Sequence, residues 1–126
     1  MYRITNNLAT VGLGVADANE VYDSFYLKNW LLIDVRHLKD DGSNTPEDYM
    51  AKIDEAGELI DLKCNVVIGC VAGESRSNSI ALGVLVKYFH LDFYDAWELV
   101  KKHVPICHID PSHINKLKKL FGVTLP

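Results

Sequence analysis

The sequence predicts an α/β fold: a small, central, mostly parallel sheet of four to five strands flanked by helices. Two short and mainly apolar runs, residues 30–35 and 65–70, lack the polar alternation of a half-exposed strand and suit strands buried on both faces. A helical pattern follows each run, over about 46–62 and from about residue 75 onward. Strand, helix, strand, helix is the order of a parallel sheet covered on both faces, with its ligand site at the carboxyl end of a central strand.

The elements follow in order. Residues 2–4 and 8–11 are short strands separated by Asn6-Asn7, a pair suited to a turn, and together they form a small edge to the sheet. Residues 17–26 have helical character, 30–35 are the first buried strand, and 37–46 form a polar loop. Thr45 then caps a helix with Pro46 in its first position and Asp48 three residues after the cap, and Met50, Ile53, Gly57 and Ile60 mark its buried face. After the strand 65–70, the helix opening near Ser75 is apolar nearly all round, as expected of the central helix, with Gly83 permitting a close approach. Asp92 and Asp95 are alternative starts for a helix ending near His103. A last helix opens at Asp110-Pro111 and buries Ile114, Leu117, Leu120 and Phe121.

At 126 residues the chain is expected to fold as one domain, 1–126, around one core. A net charge of −4 gives no general affinity for nucleic acid or anionic membrane, so any anion binding must be local. No apolar run approaches the length of a membrane span, and Met1-Tyr2-Arg3-Ile4-Thr5-Asn6-Asn7 lacks the apolar centre of a signal peptide. The expectation is a cytoplasmic monomer that needs no cofactor. Three cysteines without CxxC spacing suit neither a disulfide framework nor a zinc ribbon. Cys64 and Cys107 are expected to be ordinary core thiols, with Cys64 a minor candidate for a disulfide with Cys70. Cys107, His108, Asp110 and His113 are ligand types for a metal, but Asp110 is better explained as a helix cap and the expected metal content is none.

The chemistry concentrates in Cys70-Val71-Ala72-Gly73-Glu74-Ser75-Arg76-Ser77. Five residues between a cysteine and an arginine, placed between a strand and a helix, let the backbone curl so that its N–H groups converge on a phosphoryl group at the helix N-terminus. Val71, Ala72, Gly73, Glu74 and Ser75 supply this cradle, Cys70 lies at its floor, and Gly73 can take a positive φ. The amides, the helix end and Arg76 all favour the thiolate, which is the nucleophilic form. Arg76 can also hold two phosphoryl oxygens with its planar fork. Ser77 is placed to donate to the Cys70 sulfur when it departs as a thiolate. The bare Cys-x5-Arg spacing is a weak signal; Gly73, Ser77 and the strand-to-helix context make it specific.

This loop resembles that of the dual-specificity subgroup of cysteine-dependent protein tyrosine phosphatases. The resemblance extends over most of residues 30–121, through Leu31-Leu32-Ile33-Asp34-Val35-Arg36, Asp40-Asp41-Gly42-Ser43-Asn44-Thr45-Pro46 and the order of helices around the loop. It implies hydrolysis of phosphotyrosine and phosphoserine or phosphothreonine in protein substrates through a cysteinyl-phosphate, with an aspartate from a separate loop protonating the departing oxygen. Asp41 is the first choice for that acid, because Asp41-Gly42 looks like the acid loop of compact bacterial relatives. Asp40 is the alternative, because its spacing to the helix at Pro46 matches larger members. One departure is Gly69, where the family usually has His before the nucleophile. Two other classes compete: a non-catalytic pseudophosphatase that only binds phosphorylated partners, and a rhodanese-like sulfurtransferase, suggested by Leu32-Ile33-Asp34-Val35-Arg36 but lacking that family's ending.

Overall fold

The computed structural model describes residues 1–123. Its elements run β1 (Tyr2–Thr5), β2 (Leu8–Gly12), α1 (Ala18–Tyr26), β3 (Leu31–Asp34), α2 (Pro46–Asp61), β4 (Val66–Cys70), α3 (Arg76–Lys87), α4 (Phe93–His103) and α5 (Pro111–Leu120). The four strands lie in the order β1-β2-β4-β3, with β1 antiparallel to β2 and the other two pairings parallel. β4 is therefore central, and all five of its residues are buried, which is why it reads as an apolar run without alternation.

Side chains still alternate across the strands and divide the core in two. Ile33, Val66, Ile68 and Cys70 join Leu8 on the face packed by α2, α3, α4 and α5, whereas Ala9, Leu32 and Val67 lie on the other face with Leu13, Trp30 and the α1 residues Val21 and Phe25. Among the described residues, α1 is thus the helix that covers this side of the sheet.

The caps set the helix boundaries. Thr45 Oγ1 accepts from the Asp48 N–H while the Asp48 carboxylate accepts from the Thr45 N–H, a reciprocal pair with Pro46 at the first helical position. Asp17, Asp92 and Asp110 cap α1, α4 and α5. Asp92, rather than Asp95, thus starts α4. α3 is the expected central helix, with nine of its residues buried from Ser77 to Leu85, and Gly83 lies against Ile53 of α2. The buried face of α2 differs by one position from the expected one. Tyr49 is fully buried and Met50 only partly so, because the Tyr49 hydroxyl has polar partners inside the fold. Among the described residues no helix is long and apolar enough to cross a membrane.

Candidate active site

β4 ends on Cys70 and α3 begins at Arg76, so residues 71–75 form the turn from the carboxyl end of the central strand into a helix N-terminus. Cys70 is 2% exposed at its base. The Gly73 N–H points to the Cys70 sulfur at 3.3 Å, and Ser77 Oγ lies 3.3 Å from the same atom. The thiol donates to that hydroxyl; as a thiolate, the sulfur accepts from it instead.

The loop is held from several sides. After β2, the Leu13 and Gly14 N–H groups donate to the Cys70 and Val71 carbonyls at 2.7 and 2.9 Å. Asn78 Nδ2 donates to the Gly73 and Glu74 carbonyls at 3.0 and 2.9 Å, keeping both on the helix side of the turn. The segment before α5 closes the other side: the His108 N–H donates to the Glu74 carbonyl and the Asp110 N–H to Ser75 Oγ, each at 2.9 Å.

Gly73 is required twice over. Its φ is +75°, and a Cβ there would lie 2.8 Å from the Gly12 nitrogen at the end of β2. Gly73→Ala is expected to lower stability by about 1–3 kcal/mol from the backbone strain alone and to suppress turnover. Urea unfolding with turnover measured in parallel checks this; an unchanged midpoint would show that the loop does not need this conformation.

Arg76 Nη1 donates to the Arg36 and Leu38 carbonyls at 2.9 and 2.8 Å, which leaves Nε and Nη2 as the edge available to two phosphoryl oxygens. Those carbonyls are themselves fixed. Arg36 grips Asp34 through Nε at 3.0 Å and Nη2 at 2.7 Å, and its Nη1 reaches the Ala16 carbonyl at 2.6 Å. Partial burial raises the Asp34 carboxyl, but the Arg36 hydrogen bonds and charge outweigh it and hold Asp34 below the ordinary carboxylate range. Asp34 and Arg36 therefore brace the segment that orients Arg76.

The structure places the two candidate acids differently. Asp40 Oδ2 lies 3.7 Å from Arg76 Nε, and Oδ1 lies 2.5 Å from His113 Nε2. Asp41 is exposed and accepts the Ser43 N–H at 2.9 Å, and hydrogen bonding from the Ser43 side chain and backbone holds its carboxyl below the ordinary value. Asp40 is thus the carboxylate brought to Arg76.

Sequence reasoning missed the groups that grip this loop. His113 and Lys116 are on α5: His113 contacts Asp40, and Lys116 Nζ donates to the Gly42 carbonyl at 2.8 Å and to the Asn44 carbonyl. Asn44 spans the loop, accepting the Lys39 N–H at 3.0 Å and donating to the Lys39 carbonyl at 2.6 Å. The available signal was an i,i+3 pair of polar residues, His113 and Lys116, on an otherwise amphipathic helix.

The remaining candidates resolve on geometry. At Gly69, a Cβ would lie 2.5 Å from Leu13 Cδ1, so Leu13 occupies the space that a larger residue before the nucleophile would need. Cys64 and Cys70 flank an extended strand, separated by roughly 20 Å at about 3.3 Å per residue. The minor expectation of a disulfide between them fails, because a bridge needs Cα atoms within about 7 Å. Burial pushes the Cys107 thiol up to about 11, as for an inert core thiol. Asp110 is occupied as the α5 cap and His113 turns to Asp40; among the described residues no three His, Cys, Asp or Glu side chains converge as a metal site.

No family model matches this chain. A segment covering 36% of it is 40% identical over 45 residues to human dual specificity protein phosphatase 9, and it spans 12% of that protein. Solved structures match far more of the chain. Human DUSP28 is 17% identical with a TM-score of 0.78, covering 95% of this chain and 94% of its own. Tk-PTP in its active form is 14% identical with a TM-score of 0.76, covering 97% and 96%. The human tyrosine phosphatase-like serine/threonine/tyrosine-interacting protein is 13% identical with a TM-score of 0.75, covering 98% and 96%. This chain has the fold of the compact dual-specificity and protein tyrosine phosphatases.

Proposed function

We propose that this protein is a phosphatase that hydrolyses phosphate monoesters in phosphorylated proteins, on tyrosine and on serine or threonine, through a cysteinyl-phosphate on Cys70. The observation that carries it is the convergence of a buried cysteine, the free edge of an oriented arginine and a carboxylate, with Asp40 3.7 Å from Arg76 and Ser77 3.3 Å from Cys70.

In the first step the Cys70 thiolate forms a bond to phosphorus as the ester P–O bond breaks, and protonated Asp40 gives its proton to the departing oxygen. Val71, Ala72, Gly73, Glu74 and Ser75 contribute the backbone cradle, and Arg76 carries the charge on the equatorial oxygens. In the second step ionised Asp40 takes a proton from water as the water oxygen attacks phosphorus. The S–P bond breaks, inorganic phosphate leaves, and Ser77 donates to the returning thiolate.

We assign the acid to Asp40 rather than to Asp41. Asp40 is the carboxylate beside Arg76, 3.7 Å from its Nε, whereas hydrogen bonds from Ser43 hold the exposed Asp41 carboxyl below its ordinary value. A non-catalytic phosphate-binding module is the second reading, since a protein named phosphatase-like carries the same fold. The full set of reacting groups favours turnover. Structures similar to this chain are phosphatases or phosphatase-like proteins, which favours the phosphatase reading over the sulfurtransferase alternative.

A turnover panel tests both the reaction and its substrate: p-nitrophenyl phosphate, a phosphotyrosine peptide, and phosphoserine and phosphothreonine peptides, with binding of each measured alongside. Binding without turnover would select the non-catalytic reading. Asp40→Asn is expected to lose about 10²–10⁴-fold on phenyl phosphate and far less on p-nitrophenyl phosphate, whose phenolate departs unaided. Asp41→Asn is expected to keep the wild-type dependence on leaving group. The opposite pattern would move the assignment to Asp41.

A further inference from the structure

His113 is a fully buried imidazole on α5, and both of its ring nitrogens are engaged. Nδ1 lies 2.6 Å from the Tyr49 hydroxyl, and Nε2 lies 2.5 Å from Asp40 Oδ1. The same hydroxyl is 3.3 Å from Asn44 Nδ2, which can only donate. Tyr49 therefore accepts from Asn44, and its own proton is free to go to His113 Nδ1. Burial pushes the Tyr49 phenol up, so it keeps that proton. With the Tyr49 hydroxyl donating to Nδ1, a neutral imidazole carries its N–H on Nε2, the nitrogen beside Asp40. The charged groups around this chain include Asp40, Lys116 on the 40–44 loop, Arg76 beyond Asp40, Asp110 at the α5 cap and Asp48 in the first turn of α2.

We propose that His113 is a positioning residue for proton transfer: its Nε2–H holds Oδ1 of Asp40, so that the proton of the acid rides on Oδ2, the oxygen on the Arg76 side. This rests on the phosphatase reading with Asp40 as the acid. A tie that merely stabilised the fold would gain nothing from one oxygen being held rather than the other. With Oδ1 committed to an N–H donor, the protonated carboxyl has one site for its hydrogen, and that site is Oδ2, 3.7 Å from Arg76 Nε. The chain Asn44 to Tyr49 to His113 to Asp40 thus links α2, α5 and the acid loop in one donor direction.

The test compares His113→Leu, His113→Gln and Tyr49→Phe with wild type, measuring kcat/KM for phenyl and p-nitrophenyl phosphate. His113→Leu removes the donor and is expected to lose on the order of tenfold or more on phenyl phosphate and under about threefold on p-nitrophenyl phosphate. His113→Gln, whose amide can still donate to Asp40, is expected to recover most of that loss. If His113→Leu does not fold, Tyr49→Phe decides: it frees the tautomer and is expected to cost several-fold, again selectively on phenyl phosphate. Imidazole ¹⁵N shifts give a readout independent of turnover: wild type is expected to show His113 protonated on Nε2, and Tyr49→Phe a mixture of tautomers. Equal losses on both esters, or a wild-type Nδ1–H tautomer, would overturn the positioning role while leaving the phosphatase reading in place. Absence of wild-type turnover on every ester would reject that reading and the role with it.

Discussion

Cys70→Ser is expected to abolish hydrolysis while leaving phosphate-ester binding within a few-fold of wild type. The sulfur, the proposed nucleophile, lies at the base of the loop, 2% exposed and in contact with the Gly73 N–H and the Ser77 hydroxyl. A serine hydroxyl at that place is a far weaker nucleophile, and no imidazole contacts residue 70 to take its proton. The binding groups do not depend on sulfur. Arg76 is oriented by the Arg36 and Leu38 carbonyls, and the turn is held by Asn78, His108 and Asp110. The expected loss in turnover is about 10⁴-fold or more, the scale on which removing a covalent nucleophile acts. Titration with a phosphotyrosine peptide should meanwhile give a near-unchanged Kd. Residual hydrolysis above about 1% of wild type in a preparation free of contaminating phosphatase would remove Cys70 as the nucleophile. Loss of both turnover and binding would show instead that the loop collapses without the sulfur.

What the sequence made legible is what local physical chemistry decides. Caps at Thr45 and Asp110 act within three residues of themselves, so the starts of α2 and α5 could be read from the chain, while that of α4 could be narrowed to Asp92 or Asp95. The cradle is equally local: a strand, a turn with glycine at its positive-φ position and a helix start lie within one stretch of about a dozen residues. Positions whose role depends on distant partners were opaque. Tyr49 in place of Met50 on the buried face of α2 follows from a hydroxyl that meets a histidine 64 positions away. The conformation of the acid loop follows from His113 and Lys116, more than seventy positions downstream of the groups they bind. Two adjacent aspartates carry no internal sign of which one a remote helix will grip; the preference for Asp41 rests on the resemblance of Asp41-Gly42 to a compact acid loop, and the structure brings Asp40 to His113 and Arg76. The isolation of α1 on its own face of the sheet was also beyond periodicity, which tells that a face is buried but not what covers it.

Arg76→Lys is expected to lose activity by orders of magnitude, although the charge is kept. The guanidinium can perform two tasks with different atoms: Nη1 serves the Arg36 and Leu38 carbonyls, and the Nε and Nη2 edge, beside Asp40, is proposed to hold the phosphoryl oxygens. A lysine brings one ammonium on a flexible stem. If that ammonium stays with the two carbonyls, the phosphoryl oxygens lose both planar contacts; if it moves to the phosphate, two partly buried carbonyls lose a charged donor. Either arrangement forfeits transition-state stabilisation, and kcat/KM is expected to fall by about 10²–10⁴-fold, since a single preorganised donor is commonly worth 10²–10³. The two arrangements separate in the remaining measurements. An ammonium left on the carbonyls preserves the urea midpoint and raises KM along with the loss in kcat. An ammonium drawn to the phosphate keeps KM near wild type and lowers stability by about 1–3 kcal/mol, the cost of leaving buried acceptors unmet. A kcat/KM within about tenfold of wild type would mean that a point charge suffices, and the bidentate role of Arg76 would have to be abandoned.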